Sequence, residues 1–413
     1  MQIHYGGTDV IVDSDIKREL LADVLQERYK DCSSILVVPP DITRLHSGAG
    51  ELTNILYEMV EREKKFHIMP GTGTHEPMNE RQIKMMYGDI PLDLFKTHDW
   101  RNDVIELGVV PSDFIRRVSE GRLSYEIPIQ VNRALIEGRY DLIISIGQVV
   151  PHENTGMSNH NKNILVGVGG HDTINKSHFL GAVYGMERIM GQIRTPVREV
   201  FNYAEDAYLD GLDIVYVMTV MGSEGGELVT RGLYVGDDRE TFERAAKLSQ
   251  KVNLNKLEKP LERVVVYLDP REYQSLWLGN KSIYRTRMAI ADGGELIVIA
   301  PGLKEFGEDP EVDRLIRKYG YHGTGEVLRE VEENEDLRNN LVAAAHLIHG
   351  SSGGRFKITY APGHLTEREI VNAGYQWADI NSLLEEYDPA KLKDGYNDGF
   401  YFISNPALGL WTI

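Results

Sequence analysis

Short apolar runs alternate with amphipathic segments along nearly the whole chain. The clearest apolar runs are residues 34–38, 66–69, 140–147, 263–268 and 293–300. Segments with the apolar spacing of helices separate them. Buried strands that are connected by helices usually form a parallel sheet covered on both faces. The pattern therefore predicts an α/β fold made of two parallel-sheet domains.

The length of the chain indicates more than one domain. One hydrophobic core rarely supports 413 residues, and a charged stretch with one proline at 255–263 is typical of a linker. We therefore expect an N-terminal domain over 1–255 and a C-terminal domain over 263–388. The aromatic tail, about 390–413, is expected to pack back on the first domain. Small-molecule sites commonly lie between domains, so we expect the active site in the interdomain cleft.

Charge and cysteine content limit the class of protein. The formal net charge of −18 argues against a nucleic-acid surface, which needs a basic face. It still allows a local basic pocket for a small anion. No long apolar run predicts a membrane span, and the first residues lack the pattern of a signal peptide. Cys32 is the single cysteine, which excludes an internal disulfide and fits a cytoplasmic protein.

The richest polar segment follows the strand predicted at 140–147. Residues 151–178 hold four of the thirteen histidines and two lysines, which are His152, His160, His171, His178, Lys162 and Lys176. A loop at the carboxyl end of a buried strand is where open α/β sheets bind their ligands. This loop is therefore the first candidate for the site.

Two earlier strands also end in polar loops. Asp41-Ile-Thr-Arg44 follows the strand at 34–38, and Gly71-Thr-Gly-Thr-His75 follows the strand at 66–69. An arginine and a lysine that converge could bind a carboxylate or a phosphate. Two histidines from separate loops could form an acid–base pair, and a third could bind a metal. From the residues alone, a metal site, an acid–base site and a merely polar loop all remain open.

Taken together, these spacings resemble those of the lactate racemase family, whose members use a nickel-pincer nucleotide. Pro151-His152 opens the loop, Lys162 follows ten residues later, and His178 sixteen residues after that. The resemblance implies that His152 is catalytic, that Lys162 is covalently tethered to the cofactor, and that His178 binds nickel. It also implies that His75 is the second catalytic histidine.

The resemblance assigns further contacts and partners. It implies that the cofactor is bound by Asp41, Thr43, Ser158 and His160, with Asp41 orienting Arg44 or the cofactor ribose. It implies that the substrate, a 2-hydroxycarboxylate, is bound by Arg44, Lys281 and Trp277. Proteins that mature the cofactor are implied partners. The resemblance leaves His171, His46 and Lys176 as structural or solvated residues.

The chain departs from the family pattern at two places. The family commonly has two glycines and an arginine before the tethered lysine, where this chain has Asn159, His160 and Asn161. Lactate-type members have a Tyr-Gln pair upstream of the substrate lysine, where this chain has Trp277 and Leu278. The second departure implies a reshaped pocket, so we expect a larger or polyhydroxylated 2-hydroxy acid rather than lactate.

Two other interpretations compete with a racemase or epimerase. The first is a zinc-dependent lyase or hydrolase that uses the same histidines, since zinc sites commonly combine three protein ligands with water. The second is a non-catalytic protein that binds the cofactor. Two histidines placed for acid–base chemistry argue against the second interpretation, because a carrier needs no such pair.

Overall fold

The chain forms two compact units in the computed structural model, which describes residues 2–28, 31–60 and 64–413. The first unit comprises residues 1–180 and 189–253, and the second comprises 181–188 and 254–413. The sequence predicted a linker over 255–263, and the boundary lies just before it. The assignment of 181–188 to the second unit had no signal in the sequence.

The first unit is built on a six-stranded sheet with the order β1-β10-β9-β6-β2-β3. Its strands in chain order are β1 (Ile3–Gly6), β2 (Ser34–Val38), β3 (Lys65–Ile68), β4 (Val104–Val110), β5 (Ile127–Asn132), β6 (Leu142–Gln148), β7 (Pro151–His152), β8 (Gly156–Met157), β9 (Ile214–Glu224) and β10 (Glu227–Gly236). Strands β3, β2, β6 and β9 are parallel, whereas β10 and β1 are antiparallel at one edge. The sheet is therefore mixed at that edge.

Helices follow the strands of this unit in the predicted alternation. Through residue 253 the helices are α1 (Ser14–Arg28), α2 (Ala49–Met59), α3 (Glu80–Tyr87), α4 (Ser112–Val118), α5 (Arg133–Glu137), α6 (His171–Tyr184), α7 (Met186–Ile189), α8 (Pro196–Tyr208) and α9 (Arg239–Asn253). The end of α6 and most of α7 lie in residues 181–188, which belong to the second unit. Two 3-10 helices, Ile42–Ser47 and Leu92–Leu94, and one π-helix, Asn163–Gly167, complete the unit. Every residue of β2 is buried, as expected for a central strand that is covered on both faces. Strand pairs β4–β5 and β7–β8 form small separate hairpins.

The order of the parallel strands creates a switch point next to β2. The chain passes from β2 to β3 on one side, and β6 pairs with β2 on the other side. Loops that leave neighbouring strands in opposite directions open a crevice at the carboxyl ends, and α/β proteins bind ligands there. The three loops that the sequence indicated follow β2, β3 and β6.

The second unit contains another six-stranded sheet, with the order β15-β14-β13-β12-β17-β16. Its strands are β11 (Leu254–Lys256), β12 (Leu261–Tyr267), β13 (Ile290–Ala300), β14 (Lys357–Pro362), β15 (Gln376–Trp377), β16 (Gly395–Asn397), β17 (Phe400–Ile403) and β18 (Leu410–Thr412). Its helices are α10 (Leu276–Gly279), α11 (Lys281–Thr286), α12 (Pro310–Tyr319), α13 (Thr324–Glu333), α14 (Glu335–Arg338), α15 (Leu341–His349), α16 (Glu367–Asn372) and α17 (Ile380–Glu386), with a 3-10 helix at Pro406–Leu408. All strands of the large sheet except β16 are parallel. The predicted fold class, two α/β units with parallel sheets, is confirmed.

The predicted position of the C-terminal tail is wrong. Strand β17 lies parallel to β12, with Val265 opposite Phe402, and β18 pairs with β11. The aromatic residues of the tail therefore complete the second sheet, where Phe402 is buried in the core. Within the described residues, no helix combines the length and the apolar composition that crossing a membrane requires.

Candidate functional site

Asp41 and His75 form a hydrogen-bonded pair between two neighbouring loops. His75 donates from Nδ1 to Oδ2 of Asp41 over 2.7 Å, and Thr43 donates from Oγ1 to Oδ1 over 2.5 Å. Burial raises the pKa of the Asp41 carboxyl, but the charge and hydrogen bond of His75, the bond from Thr43 and the charge of Arg44 outweigh it and hold the pKa below its usual value. An ionised Asp41 therefore keeps a proton on Nδ1 of His75 and fixes the orientation of the ring.

His152 is held in the opposite tautomer. The backbone N–H of Asn154 donates to Nδ1 of His152 over 3.2 Å, so the proton of the neutral ring lies on Nε2. Burial lowers the pKa of His152 well below its usual value, and Lys162, Arg44 and His178 lower it further against the raising effect of Glu153. The Nε2 atom lies 3.8 Å from Oε1 of Glu153. His152 is therefore neutral at neutral pH, with its ring proton on Nε2.

Lys162 carries an amine that suits nucleophilic chemistry. Burial, together with the positive charge of Arg44, lowers its pKa to about 7, although part of the side chain keeps some exposure. Among the described residues, no hydrogen-bond acceptor contacts this amine. A large fraction of it is then unprotonated at neutral pH, which is the form that attacks an electrophilic carbon.

His178 has the protonation of a metal ligand. It lies on α6, and its Nδ1 donates to the carbonyl oxygen of Ile174 over 2.7 Å. This bond leaves the lone pair on Nε2, and burial lowers the pKa of the ring to about 4. In the part of the chain that the structure describes, no three His, Cys, Asp or Glu side chains converge as a metal site. A metal held here would therefore take most of its ligands from a bound group.

Arg44 is available for an anion. It lies in the 3-10 helix that Asp41 caps, with a non-helical backbone at φ −117° and ψ 31°. Its guanidinium has no hydrogen-bond or ion-pair partner among the described residues, and it is half-buried. Asp41 bonds to His75 and Thr43 instead. The predicted orientation of Arg44 by Asp41 therefore has no direct hydrogen bond to support it.

The segment that leads to Lys162 has the backbone of a glycine loop without the glycines. Asn159 and His160 have φ of 66° and 57°, in the left-handed region that favours glycine. Asparagine adopts this region more readily than most residues, and its Oδ1 accepts from the N–H of His160 over 2.7 Å. Asn159 and His160 thus adopt, without glycine, a backbone conformation that glycine favours.

Two residues that were predicted to contact the cofactor make other contacts in this structure. Ser158 donates from Oγ to the carbonyl of Gln148 over 2.6 Å and accepts from the N–H of Val150 over 3.0 Å. The ring of His160 is buried between Tyr216 and Phe242, with centroid distances of 4.1 and 5.2 Å. A phosphate contact by His160 would require the ring to leave these aromatic neighbours.

Arg198 of α8 holds this segment, and the sequence gave no reason to single it out. Its buried guanidinium donates to Oδ1 of Asn161 over 2.5 Å and to the carbonyls of Met157 and Asn159 over 2.6 and 3.2 Å. Asn161 also donates to Glu205 over 3.0 Å. A buried cation from a distant helix thus fixes the residues before Lys162.

Replacement of Arg198 by methionine is expected to lower the free energy of unfolding by about 3 kcal/mol, because three buried acceptors lose their donor. Urea denaturation measures this change. The matched control is Arg239→Met, which breaks an exposed ion pair with Asp206 and should cost less than about 1 kcal/mol. Equal losses in the two variants would contradict a special role for Arg198.

Several buried polar atoms near these loops have no partner in the described part of the chain. They are Oγ1 of Thr72 and both amide atoms of Asn154. Buried polar groups are nearly always hydrogen-bonded, so such atoms indicate a ligand. With the amine of Lys162, Nε2 of His178 and the guanidinium of Arg44, they form a donor set that fits a metal-bearing, anionic cofactor.

The predicted substrate residues Lys281 and Trp277 belong to the second unit. Lys281 begins α11, and its Nζ lies 6.0 Å from the ring centroid of Tyr273. The ring of Trp277 lies 4.2 Å from that of His346, which is buried and bonded to the hydroxyl of Tyr284 over 2.7 Å. Both residues are therefore backed by a rigid aromatic cluster.

The remaining histidine of the loop has a structural position. His171 begins α6, stacks on Trp100 with a centroid distance of 5.5 Å and bonds to Asp172 over 2.9 Å. These contacts agree with its interpretation as a residue at the start of a helix.

Replacement of Asp41 by asparagine is expected to destabilise the protein by about 1–3 kcal/mol at neutral pH, because a buried charged acceptor is lost. The folded pKa of Asp41 is depressed, so its contribution is present above the unfolded pKa of about 3.9 and is lost as the pH falls through the folded value. Denaturation at neutral pH and in acid should show the difference from the parent shrinking toward low pH. A difference that grows in acid would contradict the assigned ionisation.

Comparisons with known proteins concern the family and the fold. A family model described as the lactate racemase N-terminal domain matches residues 8–189. The curated lactate racemase of Thermoanaerobacterium thermosaccharolyticum is 23% identical over 304 residues, which make up 69% of this chain and 65% of that protein. The match thus covers slightly less than two thirds of the relative.

Two solved structures resemble the whole chain. A crystal structure of a protein from Thermotoga maritima has a TM-score of 0.83 at 26% identity and covers 98% of this chain and 99% of its own. The lactate racemase apoprotein of T. thermosaccharolyticum has a TM-score of 0.71 at 17% identity and covers 99% of this chain and 94% of its own. The latter likeness concerns the fold.

Proposed function

Because this chain belongs to the lactate racemase family, we propose that it is a racemase or epimerase that inverts C2 of a 2-hydroxy acid. The observation that carries the proposal is a pair of histidines from two separate loops, each held through its Nδ1. Nδ1 of His75 bonds to the carboxylate of Asp41, and Nδ1 of His152 accepts from the backbone N–H of Asn154. Inversion requires one group that takes the hydroxyl proton of the substrate and a second group that protonates the oxygen of the planar keto acid, and two histidines suit these roles.

We further propose a nickel-pincer nucleotide, tethered to Lys162, as the cofactor. When bound, this group supplies the carbon that accepts and returns the hydrogen of C2 with its electron pair. The unprotonated amine of Lys162 suits a covalent bond to a thiocarboxyl carbon. Nickel would be held by Nε2 of His178, whose protonation leaves a lone pair there.

The residues of the chain then have separate tasks. Arg44, which lacks a partner among the described residues, binds the substrate carboxylate, and Lys281 is the second residue that the resemblance assigns to the substrate. One of His75 and His152 takes the hydroxyl proton as a base while the other, in its imidazolium form, protonates the oxygen of the keto acid, and the two roles exchange for the opposite enantiomer. Asp41 stabilises the charge that His75 acquires and fixes its tautomer, and Thr43 fixes Asp41 in turn.

The surroundings of His152 favour a hydroxyl-rich substrate over a diacid. Glu153 brings a carboxylate to 3.8 Å from the ring, and a second carboxylate on the substrate would be repelled there. The buried amide of Asn154 offers a donor and an acceptor for hydroxyl groups. With Trp277 and Leu278 in place of the Tyr-Gln pair, these residues favour a larger, polyhydroxylated acid in which inversion at C2 is an epimerisation.

The test uses protein that is produced together with the cofactor-maturation proteins. This protein is incubated with a panel of 2-hydroxy acids, and chiral chromatography measures inversion at C2. We expect interconversion at C2 of a sugar acid in preference to lactate and malate. Metal analysis and intact mass on the same sample should give nickel and a mass addition. A sample that carries both but inverts no acid of the panel would contradict the proposed activity.

The same measurements distinguish the two alternatives. A zinc-dependent lyase or hydrolase would contain zinc and no mass addition on Lys162. Its usual set of three protein ligands has no counterpart among the described residues. A non-catalytic cofactor-binding protein would carry the adduct without converting any acid, and it would have no need of the Asp41–His75 pair.

A further inference from the structure

Asn163, which directly follows Lys162, joins two strands through its side chain. Its Nδ2 donates to the carbonyl of Val38 in β2 over 2.8 Å and to Oγ of Ser145 in β6 over 2.9 Å. Val38 and Ser145 face each other in the β2–β6 ladder. The amide therefore lies at the end of the two strands that form the switch point of the sheet.

The oxygen of the same side chain lies against two glycines. A Cβ at Gly71 would lie 3.2 Å from Oδ1 of Asn163, and one at Gly167 would lie 2.8 Å from it. The N–H of Gly73 donates to the carbonyl of Gly167 over 2.9 Å. The loop that carries His75 thus packs on the π-helix that begins at Asn163. This close approach requires residues without a side chain.

We propose that Asn163 is a positioning residue that holds the Lys162 turn, the His75 loop and the end of β2 in one arrangement. It contacts each of these segments while its side chain bonds to neither His75 nor His152. A single π-helical turn is common next to functional residues, and here the amide determines where that turn lies. The role of Lys162 as a tether rests on the proposed function, whereas the hydrogen bonds of Asn163 do not.

An amide is the side chain that these contacts require. The carbonyls of Val38 and Ile146, at 2.8 and 3.4 Å, need an N–H donor, and the Ser145 hydroxyl accepts from the same amide. Asn163→Asp keeps the size and shape of the side chain but replaces the amide nitrogen by an acceptor. It therefore breaks the bonds to the two carbonyls, brings two oxygens together at Val38 and forces the Ser145 hydroxyl to donate, without leaving a cavity.

The experiment uses the cofactor-free chain and trinitrobenzenesulfonate, which labels neutral amines, with the labelled lysine located by peptide mass spectrometry. In Asn163→Asp, the pH of half-maximal labelling of Lys162 is expected to rise by at least about one unit, which lowers the neutral fraction of the amine at neutral pH about fivefold, because the amine is released into water and gains a carboxylate beside it. Hydrogen exchange should rise in both 71–75 and 163–167. The control is Asn54→Asp, whose amide bonds only within α2, to Gly50 over 2.9 Å.

If Asn163→Asp does not fold, Ser145→Ala is used instead, because it removes one acceptor of Asn163 and keeps the bond to Val38. A smaller rise in the pH of half-maximal labelling of Lys162 is then expected. A folded variant with an unchanged labelling profile, or with faster exchange confined to 163–167, would overturn the proposal. Failure of the proposed function would be distinguishable from failure of this proposal. It would be seen as an unmodified Lys162 in the matured protein, and it does not depend on the labelling profile of the cofactor-free chain.

Discussion

Replacement of Lys162 by arginine is expected to abolish both the covalent adduct and turnover in the matured protein. Arginine keeps the positive charge and much of the length, but its guanidinium stays protonated and cannot act as a nucleophile. The parent amine can, because burial lowers its pKa to about 7. Intact mass spectrometry measures the adduct, and chiral chromatography measures inversion of the acid that the parent converts.

The matched control is Lys176→Arg in the same loop region. Lys176 lies 6.0 Å from the ring centroid of Tyr125 and has no assigned part in the chemistry. It should retain the adduct and most of the activity. A mass addition that persists in Lys162→Arg would show that the tether is elsewhere. A Lys162→Arg protein that loses the adduct yet inverts the acid would separate the cofactor from the reaction.

Replacement of either His75 or His152 by alanine is expected to lower turnover by at least about a hundredfold while the nickel content and the adduct remain. General acid–base catalysis typically contributes a factor of that order or more. Inversion in either direction uses one histidine as base and the other as acid, so each variant is expected to slow both enantiomers.

His171→Ala provides the control for these variants, because His171 stacks on Trp100 and bonds to Asp172. It should leave turnover within a few-fold of the parent. Turnover that survives in His75→Ala or in His152→Ala would remove that residue from the acid–base pair.

The pH dependence of turnover follows from the same protonation states. Burial keeps the pKa of His152 well below its usual value and that of His178 at about 4. Both rings are then neutral from weakly acidic to alkaline pH. Their protonation in acid would remove the lone pair of His178 that nickel requires. We therefore expect the protonation of these two rings to lower the activity only at strongly acidic pH.

Local patterns in the sequence were sufficient for the fold class, and they selected the residues of the proposed site. The apolar runs predicted the buried strands β2 and β6, because periodicity follows from which side chains must leave water. The resemblance to the family, carried by the spacing of His152, Lys162 and His178, implied three separate tasks in one segment. Residues that are close together in the sequence lie on the same loop and helix, so their spacing can be interpreted without a structure.

Contacts between distant segments were decided by the tertiary structure alone. The sequence linked Asp41 to Arg44, but Asp41 pairs with His75, which lies 34 residues away. It offered no reason to select Arg198 or Asn163, and it assigned the C-terminal tail to the wrong sheet. A hydrogen bond between distant segments depends on how close their backbones lie in space. The identity of the side chains does not indicate that distance. The orientation of the two histidine rings also depends on such contacts. His75 is held by the carboxylate of Asp41 from the loop after β2, and His152 is held by the backbone N–H of Asn154. The sequence thus determined which groups are present at the site, and the packing of the strands determined which of them donate, accept and bind.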